Sequence, residues 1–174
     1  MKNNRRHLHS GYRIALGRRA VCRLALAFTL VFLWGEMTLA WSAACRITAT
    51  AINFGVYDML SFVPKDATAQ LTIRCNHKNT EPASVRVTLS AGGAGSVGQR
   101  RMTGPQAGSF LYYNLFSNPG MSSIFGDDTA GSESLTNLVD RSAVWTVPIY
   151  GRIPPLQAIP IGIYSDAVTA TILY

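Results

Sequence analysis

Beyond residue 44, hydrophobic side chains recur at every second position and no window carries a sustained helical stripe, so this part of the chain must fold as packed β-sheet. Leu71, Ile73 and Cys75 alternate with Gln70, Thr72 and Arg74, and Val85, Val87 and Leu89 alternate with Arg86, Thr88 and Ser90. That is the period of a strand with one face in a core and the other in water. Phe110 to Phe116, Trp145 to Tyr150 and Ile163 to Tyr174 add three runs rich in aromatic and β-branched residues. Turn formers separate the runs, among them Asn76-His77-Lys78-Asn79, Ala91 to Gly95, Asn118-Pro119-Gly120 and Pro154-Pro155. Short antiparallel strands at this spacing predict an all-β, immunoglobulin-like sandwich, with Asp127 to Asp140 as a long polar surface loop.

The residues ahead of this region have a different character. Lys2, Arg5, Arg6, Arg13, Arg18, Arg19 and Arg23 precede an uncharged, largely apolar run from Leu24 to Trp34, and small residues follow at Ala40, Ser42, Ala43 and Ala44. This is the layout of a secretory signal peptide over residues 1–44, with the domain proper at 45–174. A retained helical anchor would need about 20 apolar residues. Arg18-Arg19 permits a twin-arginine signal but lacks its flanking residues, and Ser42-Ala43-Ala44-Cys45 has serine where a lipoprotein site has leucine, so general secretion is expected.

Removing the leader also removes a false lead. Seven of the 16 Lys+Arg and one of the nine Asp+Glu lie before residue 45, which leaves nine basic and eight acidic side chains and a net charge of +1. The basic excess therefore gives no support for nucleic-acid binding. Cleavage at Cys45 would leave 130 of the 174 residues, the size of one ordinary domain. Cys22 departs with the leader, and the remaining pair, Cys45 and Cys75, is expected to form a disulfide in an oxidising compartment.

Patterns that would carry catalysis fail on context. Gly93-Ala94-Gly95-Ser96-Val97-Gly98 spells GxGxxG, but that pattern works by opening a helix, and here Gln99-Arg100-Arg101-Met102 runs into Gly104-Pro105, so a turn is expected. Ala94 also spoils a GxSxG elbow, and His77 is the sole histidine after the leader, too few for a triad or a typical zinc site. Asp127-Asp128 reads as a solvated loop tip rather than a calcium site. No enzyme activity, cofactor or metal is expected. Tyr112, Tyr113, Phe116, Trp145 and Tyr150 could line a binding patch, although alternation sends about half of them into the core.

The final run, Gly162 to Tyr174, is an apolar strand with no turn after it, and presents Tyr164, Val168, Ala170, Ile172 and Tyr174 on one face with Asp166 as the polar exception. Such a strand leaves a free sheet edge or a groove that invites strand addition. Here the sequence resembles the spore coat protein U domain family, which includes subunits of archaic chaperone–usher pili. The resemblance rests on Cys45, Phe54-Gly55-Val56-Tyr57-Asp58, Ile73-Arg74-Cys75, Leu89-Ser90-Ala91-Gly92, Arg101-Met102, Leu111 to Leu115, Gly126-Asp127, Tyr150 to Pro154, Gln157 and Gly162 to Asp166, in that order. Phe125 stands where the family usually has tryptophan, and Ala167 where it has threonine.

The resemblance implies a sandwich lacking its last strand: a periplasmic chaperone would lend one, and another pilus or coat subunit would replace it at an outer-membrane usher. Groove walls are then expected at Ile47, Ile52 and Phe54 on the first strand, and at Val168, Ala170, Ile172 and Tyr174 on the last. Export to the periplasm and then to a surface fibre follows. Cleavage at Ala44 would leave a subunit that receives a strand but donates none, as suits a distal or tip position, whereas earlier cleavage would free Met37, Leu39, Trp41 and Ala43 as a donor. The competing expectation is a self-complete secreted adhesin or carbohydrate-binding module using Tyr112, Trp145 and the 127–140 loop.

Overall fold

The computed structural model describes residues 44–76, 81–93 and 95–174. The expected signal peptide lies outside the described residues apart from Ala44, as do the candidate donor residues 37–43, His77 and Ala94. The described residues form strands β1 (Ala44–Ala49), β2 (Lys65–Asn76), β3 (Ala83–Leu89), β4 (Gly95–Ser96), β5 (Gln99–Thr103), β6 (Phe110–Phe116), β7 (Leu135–Val139), β8 (Val144–Ile153) and β9 (Ala170–Leu173). They contain no helix. A six-stranded sheet runs β1-β2-β8-β6-β5-β4 and a three-stranded sheet runs β7-β3-β9, with every ladder antiparallel. This is the immunoglobulin-like sandwich that the alternation predicts.

The core lies between the sheets. Leu71 and Ile73 of β2, Val147 and Ile149 of β8, and Leu111 and Leu115 of β6 meet Val85, Val87 and Leu89 of β3, and Phe125 is fully enclosed beside them. Trp145 is half-buried against this cluster, whereas Tyr112 is exposed on the outer face of the same sheet. Gly93 to Gly98 opens no helix; Gly95 and Ser96 pair with Arg100 and Gln99 in a tight hairpin. Three expectations need correcting. β1 stops at Ala49, so Ile52 and Phe54 lie on an irregular segment after it, where Asn53 Oδ1 accepts the Gly55 N–H at 2.8 Å and Gly55 turns the chain at φ +68°. The second half of the supposed 127–140 loop is β7, paired with β3 through its whole length.

The last strand is also shorter than its pattern. Ser165 exchanges two backbone bonds with Thr103 of β5 at 2.9 and 3.1 Å, Thr169 accepts one from Ser90 at 2.9 Å, and only from Ala170 onward does the ladder with β3 begin. The segment changes partner on the way, so its alternation persists while its ladder does not. β5, at Gln99–Thr103, is a strand for which the sequence patterns give no expectation.

Cys45 and Cys75 sit opposite one another in the β1–β2 register and are bonded. Spanning a sequence separation of 30, the bridge should stabilise the fold by about 3 to 4 kcal/mol on the chain-entropy account. Replacing both cysteines with alanine should lower the urea midpoint accordingly; an unchanged midpoint would show that β1 is held by its ladder alone.

Candidate functional site: an open groove between the sheets

Among the described residues, β1 forms one edge of the six-stranded sheet and pairs only with β2, while β9 forms one edge of the three-stranded sheet and pairs only with β3. No strand of the described residues lies between them, and the interior is open along this seam. A cleft of about 430 Å³ separates Ala49–Ile52 on one wall from Asp166–Val168 and Ala170 on the other, with Leu71, Leu89, Leu115 and Ile149 as its floor. Alanines at 49, 51, 69, 167 and 170 line it, and their small side chains leave the space unfilled. A second cleft of about 550 Å³ continues between the Ile52–Tyr57 segment and the Ile159–Asp166 segment, over Met102, Leu111 and Ile153. The two share Ile52, Tyr113 and Asp166.

Local chemistry holds this opening in shape. Gly151 of β8 faces inward, and a Cβ there would lie 2.5 Å from Ile52 and 2.7 Å from the Phe54 ring, so the missing side chain lets the wall pack down. The Phe54 ring meets Tyr113 edge-on at 6.0 Å. At the mouth of the wider cleft, Val56 is 87% exposed, Ile161 94% and Ile163 86%. Three large apolar groups thus stand exposed along one opening.

Asp166 sits where the clefts join. Its Oδ2 accepts the Tyr113 hydroxyl at 2.8 Å, and its Oδ1 accepts the N–H groups of Gly93 at 2.7 Å and Ala167 at 2.8 Å. Burial, together with the neighbouring carboxylate, pushes the Tyr113 phenol far above its ordinary value, so it stays a donor. Gly92, at φ +86°, has no room for a Cβ, which would fall 2.1 Å from Asp166 Oδ2.

Arg100 of β5 is fully buried. Its guanidinium donates to the carbonyls of Ser90 at 2.8 and 3.0 Å and Phe125 at 2.9 Å, and to Asn114 Oδ1 at 2.7 Å. It thereby ties the end of β3 to β5, β6 and the Phe125 turn, and among the described residues it forms no ion pair. Desolvation lowers its pKa, with nearby acidic groups opposing that shift.

The expected wall residues divide accordingly. Ile52 lines both clefts, Phe54 the wider one, and Val168 and Ala170 the narrower. Ile47 and Ile172 are half-buried against the core and lie outside both clefts. Tyr174 is 55% exposed and contributes no wall. Sequence reasoning missed Gly151 and Arg100, and named Tyr113 only among aromatic residues of a binding patch or the core. Alternation carried a usable signal for Tyr113, which shares a face with Leu111 and Leu115. Tyr112 and Trp145 point to opposite faces of their sheet, so they do not form one patch. Among the described residues no three His, Cys, Asp or Glu side chains gather as a metal site.

Comparison with known proteins agrees with this architecture. Residues 35–171 match the Spore Coat Protein U domain. The chain is 30% identical over 144 residues to Protein U of Myxococcus xanthus, across 75% of this chain and 78% of that protein. The CsuC–CsuE chaperone–tip adhesion subunit pre-assembly complex from archaic chaperone-usher Csu pili of Acinetobacter baumannii contains a chain that superposes with a TM-score of 0.51 at 25% identity. That match covers 76% of this chain and 40% of the other, so this chain spans two fifths of its length. The E. coli Hda pilus minor tip subunit, HdaB, gives a TM-score of 0.40 at 17% identity, over 74% of this chain and 82% of that one. Matched over most of its length by the family's domain and by Protein U, the chain belongs to the Spore Coat Protein U domain family.

Proposed function

We propose that this chain is an exported structural subunit of a surface pilus or coat, and that its sandwich is completed by a strand from another molecule laid between β1 and β9. The observation that carries this reading is the seam itself, an apolar floor left uncovered between two unpaired strand edges. Its resemblance to a subunit solved in a chaperone complex supports a periplasmic chaperone as the first lender of that strand. A second subunit then replaces it at an outer-membrane usher.

Burial explains why the exchange would be obligatory. A strand inserting about five apolar side chains, at roughly 1.5 to 3 kcal/mol each, contributes on the order of 8 to 15 kcal/mol before ordering costs. An ordinary domain has a total stability of about 5 to 15 kcal/mol. The chain expressed in a periplasm without its chaperone should therefore be degraded or aggregate, and with it should be recovered as a one-to-one complex. Recovery of a stable, folded monomer without the chaperone would sink the proposal. Mass spectrometry of the mature N-terminus then separates a receiving subunit, beginning at Cys45, from one that retains residues 36–44 as a donor.

A further inference from the structure

The groove is not uniformly apolar. Leu71, Leu89 and Ile149 floor the narrower cleft and Met102, Leu111 and Ile153 the wider one, but a carboxylate stands at their junction. Asp166 is half-buried and, among the described residues, has no salt-bridge partner. Its hydrogen bonds to Tyr113, Gly93 and Ala167 use three of the roughly four acceptor positions that a carboxylate offers. Inward side chains of a strand repeat at about 6.6 Å. A strand laid along the seam therefore meets an apolar cleft, then Asp166, then a second apolar cleft.

We propose that Asp166 makes the groove selective for a complementing strand that presents bulky apolar side chains to the two clefts and, between them, a small hydroxyl-bearing residue such as serine or threonine. The inference rests on the donor-strand reading above. A leucine at the junction would strip the remaining water from a charged oxygen and return nothing, whereas a hydroxyl replaces that water. An acidic residue would add like-charge repulsion. In the register that turns Met37, Leu39, Trp41 and Ala43 inward, Thr38 and Ser42 fall on the opposite face and no hydroxyl reaches the junction, so the best-matched occupant is a strand of a different subunit rather than a second copy of this chain.

The test extends the full chain beyond Tyr174 by a two-residue turn and a strand that folds back along β9, carrying valine at every inward position except the one facing Asp166. There it carries serine or leucine. In urea unfolding, serine should give an equilibrium constant for folding about 10- to 100-fold larger than leucine, the range for a hydrogen bond to a charged group. Serine moved to the position facing Val168 should lose that advantage. Asp166→Asn should shrink the preference, and Tyr113→Phe, which frees Oδ2, should widen it; the second variant keeps the test decisive if the first does not fold. Equal stabilisation by serine and leucine, or a preference unchanged by both variants, overturns the role of Asp166 alone. If no appended strand stabilises the chain, the donor-strand reading itself fails.

Discussion

Arg100→Met should destabilise the domain by on the order of 3 to 5 kcal/mol, although it removes a buried charge that no carboxylate of the described residues pairs. Replacing a buried ion pair by apolar groups is often harmless, because both partners leave together. Here the partners are the carbonyls of Ser90 and Phe125, which would be left without a side-chain donor, and Asn114 Oδ1, which keeps only the Leu115 N–H. Each orphaned acceptor costs about 1 to 3 kcal/mol, which outweighs the desolvation recovered from one guanidinium. Arg100→Lys should recover only part of the loss, since three donors on one nitrogen do not span acceptors on several sides. Both variants are best measured in the strand-complemented form by urea unfolding. A methionine variant as stable as the parent would show that the carbonyls find other donors or water.

Ile172→Asp should abolish recovery of the chain with its chaperone, while Tyr174→Ser should leave recovery within about twofold. Ile172 lies on the inward face of β9 against the core, opposite Val87 of β3. A carboxylate there would be buried without a partner on the strand edge with which the proposed complementing strand would pair, at a cost of several kcal/mol. Tyr174 is exposed beyond the end of β9, where a surface substitution changes stability by less than about 0.5 kcal/mol. Periplasmic yield and co-purification of the chaperone read both. Equal effects of the two substitutions would mean that the seam does not begin where β9 ends.

Much of this was legible because burial alternates where the sequence alternates. β2, β3, β6 and β8 all carry their apolar residues on one face, and the C-terminal run keeps Tyr164, Asp166, Val168, Ala170 and Ile172 inward even where its ladder fails. The cysteine pair was likewise visible, because the expected loss of the leader with Cys22 would leave two cysteines. β5 was hidden for a specific reason. Its two inward residues are Arg100 and Met102, and an arginine in the core reads as a polar turn unless its carbonyl partners are known, which come from β3 and the Phe125 turn.

β7 was masked similarly, since Thr136, Asn137 and Leu138 are all exposed and only Leu135 and Val139 lean inward. The near wall escaped because it is not a strand. Ile52 and Phe54 turn in after β1 has ended, over a glycine about one hundred residues downstream, and nothing local to residues 50–55 encodes that space. Asp166 was noticed only as an exception to a pattern. Its partners Tyr113 and Gly93 come from two other parts of the chain, so its place at the meeting of the clefts required three dimensions.

The bridge between Cys45 and Cys75 has a mechanical consequence. Tension applied to the polypeptide on the amino side of residue 45 does not load the β1 ladder one bond at a time, because the covalent link stands at its start, one residue inside Ala44. The pull passes directly into β2, a 12-residue strand clamped between two neighbours, so a fibre under shear would not unzip from this edge.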